Sequence, residues 1–150
     1  MDFAKFKQKA QDFTKKVIDT SATKLQESGM VIKDPQGVQD MVDASKNHIN
    51  DQGKEYPRRS VVIFAEAGSE FYKEALYVLP VVYTKAWTQN VRLKMCSLGA
   101  EDLQSYSITS FPTMIVFEDT KEIKRLEGAD NIKKIVKSMN LDINACIDSL

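Results

Sequence analysis

The run Ser60-Val61-Val62-Ile63-Phe64-Ala65 constrains this chain more than any other segment. Successive side chains of a strand point to opposite faces, so an unbroken, β-branched apolar run needs cover on both. Helices must therefore lie above and below it, with connections long enough to cross over. The sequence supplies them. Gly68-Ser69 marks a turn, and Glu70 to Ala86 reads as a long helix with Pro80 inside it, which predicts a kink or break. Upstream, Asp34-Pro35 opens a helix whose apolar face is Val38, Met41 and Val42. Met30-Val31-Ile32 and Val91 to Cys96 read as further strands, and Asn47 to Arg59, with Gly53 and Pro57, as a loop.

Beyond Cys96, Ala100 to Tyr106 reads as a short helix with Glu101 and Asp102 in its first turn. In Thr109-Ser110-Phe111-Pro112-Thr113-Met114-Ile115-Val116-Phe117 a proline stands immediately before a strand. Glu118 to Lys121 is a hairpin turn and Glu122 to Leu126 the returning strand. Gly128 breaks the chain, and Asp130 is expected to cap a last helix over Asn131–Met139, with Ile132, Ile135, Val136 and Met139 on one face. Alternation of strand and helix followed by a hairpin predicts an α/β fold: a mixed central sheet flanked by helices. That domain occupies residues 29–140, followed by a short, mildly apolar tail at 141–150.

Residues 1–28 form the other predicted unit. Phe3, Phe6, Ala10, Phe13 and Val17 recur at spacings of 3, 4, 3 and 4, the seam of an amphipathic helix ended by Ser28-Gly29. Residues 1–27 carry six lysines against four acids, a weak excess for a membrane-surface helix. The narrow seam suits packing on protein, including a second copy of the chain, so a homo-oligomer through this helix is an expectation.

Composition removes several classes of function. The net charge of +0 argues against nucleic-acid binding. Charges interrupt every apolar stretch before it could span a bilayer or serve as a signal sequence, which predicts a soluble, cytoplasmic protein. Cys96 and Cys146 are the only cysteines and His48 the only histidine, so no metal site and no disulfide framework is expected. Cys96, at a strand end, reads as a small buried hydrophobe; the tail position leaves Cys146 open to solvent and to intermolecular pairing.

The segment Val61-Val62-Ile63-Phe64-Ala65-Glu66-Ala67-Gly68-Ser69-Glu70-Phe71-Tyr72-Lys73, with Phe111-Pro112-Thr113 before the hairpin and Gly128 after it, resembles the thioredoxin-like superfamily. The likeness covers about residues 30–140, with three landmarks in one ungapped register. It implies a thioredoxin fold with a cis peptide before Pro112. In that register Gly68 and Phe71 stand at the two redox-cysteine positions, and Val62 at the family's buried aspartate. Leu93, or Lys94 after a one-residue slip, stands at its lysine neighbour. Thiol–disulfide exchange needs a thiolate, and neither Gly68 nor Phe71 can supply one.

The resemblance therefore implies a redox-inactive member that binds a protein or peptide, with no catalytic residues and no cofactor. The expected contacts are the loop Ala67, Gly68, Ser69, Glu70 and Phe71 and the edge Ser110, Phe111, Pro112 and Thr113. Phe71 and Phe111 offer aromatic surface there. Glu66 and Glu70 as an acid–base pair, or Ser69 as a nucleophile, lack a histidine or other activating base nearby. Two alternatives remain at this level. One is a thiol–disulfide oxidoreductase or redox-linked protein using a lone cysteine. The other is a peripheral membrane or scaffold protein anchored by the N-terminal helix.

Overall fold

A computed structural model describes residues 29–49, 51–56, 58–138 and 142–150. The N-terminal helix expected at 1–28 lies outside the described residues. Five strands form the main sheet: β1 (Val31–Ile32), β4 (Arg59–Phe64), β5 (Val91–Cys96), β6 (Thr113–Glu118) and β7 (Lys121–Glu127). Their order is β1-β5-β4-β6-β7. β5 pairs parallel with β1 and β4, while β6 pairs antiparallel with β4 and β7. The sheet is thus mixed, and the apolar run takes its central place.

The two faces of β4 reach separate halves of the core. Val61, Ile63 and Ala65 pack under α2 (Glu70–Thr88) and α3 (Ala129–Ser138), through Leu76, Leu79, Val82 and Ile132. Val62 and Phe64 pack on the other side with Val38 and Met41 of α1 (Pro35–Ala44) and with Leu103 and Ile115. Asp34 caps α1 by accepting from the Gly37 N–H at 2.8 Å, as its place before Pro35 predicts. Gly37 lets α1 approach β1, since a Cβ there would meet Ile32 Cγ2 at 2.7 Å.

Several local expectations are corrected. α2 is one helix across Pro80; the buried Leu76, Leu79 and Val82 around the proline hold it against the sheet. The segment Ala100–Tyr106 is a 3-10 helix, anchored by the buried Leu103 and by Tyr106 packed beside Phe64, and closed by Ser107 at φ 54. α3 starts at Ala129, so Asp130 lies in the first turn rather than at the cap. The expected loop at 47–59 contains a small separate hairpin, β2 (His48–Ile49) with β3 (Glu55–Tyr56).

The tail differs most. Ile143–Asp148 forms α4, capped by Asp142, whose carboxylate accepts from the Ala145 N–H at 3.0 Å. Its Ile143, Cys146 and Ile147 are buried in the α2/α3 half of the core, so Cys146, 8% exposed, is not the open thiol expected from its tail position. Arg59 fixes this helix from the sheet, donating to Asp148 Oδ1 at 2.6 Å and to the Asn144 carbonyl at 3.3 Å while pairing with Glu118 at 3.0 Å. Truncating a fully buried isoleucine leaves a cavity that costs about 2–5 kcal/mol. Ile147→Ala is therefore expected to lower the unfolding free energy by that amount in chemical denaturation; a loss below about 0.5 kcal/mol would show that α4 is not part of the core.

Candidate functional site

β4 ends at Phe64, which lies opposite Cys96 of β5 and Thr113 of β6. The loop leaving β4 and the segment entering β6 therefore meet at one end of the sheet. This places Ala67–Phe71 and Ser110–Thr113 on the same rim. The Ala65 N–H donates to the Cys96 carbonyl at 2.9 Å and carries the chain off the sheet. Ala67 and Gly68 are exposed, and Gly68 has φ +82, a left-handed backbone that glycine adopts without strain. Ser69 then caps α2, its hydroxyl accepting from the Tyr72 N–H at 3.1 Å. Glu70 sits exposed in the first turn, where the free N–H groups favour an acid.

On the facing strand the Phe111–Pro112 peptide is cis. The Pro112 carbonyl accepts from the Gly128 N–H at 3.1 Å, which closes the β6–β7 ladder. Thr113 is fully buried and its hydroxyl donates to the Ser110 carbonyl at 2.8 Å. It shapes the rim and offers no surface of its own. Ser110 is exposed, and Phe111 and Pro112 are half-buried. Among the described residues, neither the N–H nor the C=O of Phe111 has a hydrogen-bond partner. Backbone groups left open at a sheet rim are a template for another strand.

The two aromatics are not neighbours in one patch. Phe111 rests on the α1 side of the core, whereas Phe71 rests on the α2/α3 side. There Phe71 lines an apolar cleft of about 30 Å³ with Ile63, Val78, Leu79, Leu93 and Val136. Glu74 and Lys133, paired at 2.9 Å, also line it and tie α2 to α3. Sequence reasoning missed this cleft, because its walls come from separate elements and its aromatic was assigned to the rim.

The remaining polar positions of the resemblance are resolved by the register. Val62 is fully buried, and its neighbour across β5 is Lys94, while Leu93 faces the opposite half of the core. Both thiols are sequestered. Burial pushes the Cys96 thiol up to about 11 from an ordinary value near 9.0, and burial raises Cys146 in the same direction. Among the described residues no three His, Cys, Asp or Glu side chains gather as metal ligands. None of the described helices is long and apolar enough to cross a membrane.

Solved structures similar to this chain include several thioredoxins. Fasciola hepatica thioredoxin superposes with a TM-score of 0.54 at 19% identity, over 73% of this chain and 95% of that one. Saccharomyces cerevisiae mitochondrial thioredoxin 3, in its oxidized form, gives 0.54 at 14% identity, over 81% and 98%. Thioredoxin NaTrxh from Nicotiana alata gives 0.54 at 18%, over 75% and 89%. The chain thus has the thioredoxin fold across nearly the whole length of those proteins. No protein-family model matches the sequence, and no curated protein matches it.

Buried, protonated thiols react slowly with disulfide reagents. Ellman's reagent at pH 8 is expected to leave both cysteines largely unmodified in the native protein and to titrate both in guanidinium. Rapid native labelling of Cys96 would contradict its burial. The raised Cys96 value also means that the folded state holds its proton longer than the unfolded chain. Its stabilising contribution is then complete below about pH 9 and is lost as the pH rises toward about 11.

Proposed function

We propose that this chain is a non-catalytic binding module that takes an extended segment of a protein or peptide at the rim formed by Ala67–Phe71 and Ser110–Thr113. The observation that carries the reading is the open backbone of Phe111, beside the exposed Ser110 and the half-buried Pro112. An extended segment laid along such an edge gains main-chain hydrogen bonds, and apolar side chains beside it supply selectivity. Phe111 serves on one side of the rim. The cleft beside Phe71 accepts an apolar side chain on the other.

The absence of thiol chemistry is part of the same reading. Gly68 and Phe71 carry no thiol, Val62 carries no carboxylate, and the Cys96 thiol is held neutral at physiological pH. In this account residues 1–28 present a second protein-facing surface, and the protein works in the reducing cytoplasm.

Selection from a random peptide library on the full chain is expected to yield extended binders. Aromatic anchors at such a site carry much of the energy, so Phe111→Ala is expected to weaken them about tenfold or more. Binders indifferent to both Phe111→Ala and Phe71→Ala would place the function elsewhere. In an insulin-reduction assay the protein is expected to match the buffer blank; turnover abolished by Cys96→Ser would favour a lone-cysteine oxidoreductase instead. Liposome flotation is expected to give the same result with and without residues 1–28.

A further inference from the structure

The end of the sheet opposite the rim carries a cluster of a different kind. Ser60 of β4 lies opposite Arg92 of β5, and Arg58 immediately precedes β4. Ser60 is four residues before Phe64, about 13 Å away along the strand. Three donors gather here without acceptors: among the described residues, the buried Arg58 Nε, Ser60 Oγ and Arg92 Nη1 have no hydrogen-bond partner. The other two arginines are treated differently. Arg59 is held by Glu118, Asp148 and Asn144, and Arg125 by Glu122 and the carbonyls of Tyr106 and Ser107.

Arg58 and Arg92 are also close enough to repel. Burial first, and the charge of Arg58 second, lower the Arg92 value from its ordinary one. Arg92 is not free to swing away, because its guanidinium carbon stacks 3.3 Å from the centre of the Trp87 ring. That stacking fixes the plane of the fork and leaves its N–H edges for a partner. Each buried donor without an acceptor costs stability, and a charged donor costs more than a neutral one. Two like charges with open donors beside a third, neutral donor are therefore unfavourable without an anion. Arg58 and Arg92 are half-buried as whole residues while the orphaned atoms themselves are enclosed, so an anion enters from the solvent-facing part of the two side chains.

We propose that Arg58, Ser60 and Arg92 form a binding site for a phosphate group, either inorganic phosphate or that of a small phosphorylated molecule. A dianion with several acceptor oxygens answers two cationic forks and a hydroxyl together, whereas a carboxylate brings one charge and two oxygens. The site is separate from the Phe111 rim and stands or falls independently of it.

Trp87 is the only tryptophan, is 49% exposed, and reports directly on Arg92. Inorganic phosphate, pyrophosphate, acetate and chloride are titrated into the full chain at constant ionic strength, with Trp87 emission and calorimetry as readouts. Saturable binding of phosphate and pyrophosphate is expected, with no saturable response to acetate or chloride. Binding is expected to weaken about tenfold or more in Arg58→Gln and in Arg92→Gln, the latter read by calorimetry alone, and to stay unchanged in Lys73→Gln, an exposed lysine in the first turn of α2 at the other end of the sheet. Circular dichroism melting checks that each variant folds. If Arg58→Gln does not fold, Arg58→Lys, which keeps the charge and loses the fork, is expected to bind at an intermediate level. Tighter binding of pyrophosphate than of phosphate would point to a phosphorylated molecule; the reverse order would point to the free ion. No saturable binding to wild type, an equal response to acetate, or binding untouched by both arginine substitutions would overturn the proposal.

Discussion

Burial of β4 on both faces is the constraint from which the rest of this structure follows. Val61 and Ile63 cannot be covered by the helices that cover Val62 and Phe64, so the chain must build two helical layers. Burying a side chain of this size is worth about 1.5–3 kcal/mol, and β4 commits four of them in succession. Its backbone is satisfied by β5 on one edge and β6 on the other. The strand then ends at Phe64, and its end sets the rim. The loop to α2 and the approach to β6 have nowhere else to leave the sheet.

The same strand separates two chemistries. At its C-terminal end stand a glycine in a left-handed turn, a serine cap, and the open backbone of Phe111, with both thiols withdrawn into the core. Gly68 and Phe71 bring no thiol there, and the Ser69 hydroxyl is engaged in capping α2. At its N-terminal end three arginines meet the sheet. Arg59 spends its donors clamping α4, whereas Arg58 and Arg92 keep donors open. Neighbours in sequence thus do opposite jobs because they point to opposite faces of the strand's start.

Much of this architecture is legible in the sequence because its signals are local. The β-branched run, the Asp34-Pro35 helix start and the Pro112 before a strand all act within a few residues. The failures have tertiary causes. Pro80 removes one N–H from the helix ladder, yet α2 continues because Leu76, Leu79 and Val82 pack around it on the sheet. α4 is only six residues, too short to be stable alone, and exists because Ile143, Cys146 and Ile147 find the core and Arg59 holds its polar side. The rim residues were readable as a motif register, but which half of the core each aromatic joins was not. That depends on the turn at Gly68 and on the path into β6. The arginine pair was invisible for a related reason: only the parallel β4–β5 register brings Ser60 beside Arg92.

The account turns on the Phe111 backbone as a docking edge. The direct measurement is amide hydrogen exchange at Phe111, followed by NMR in the free protein and with a selected extended peptide. The account predicts a fast-exchanging Phe111 N–H in the free state that becomes protected in the complex, with the largest shift changes at Ala67–Phe71 and Ser110–Thr113. An unchanged Phe111 amide in a saturated complex, with protection appearing on another surface, would contradict it.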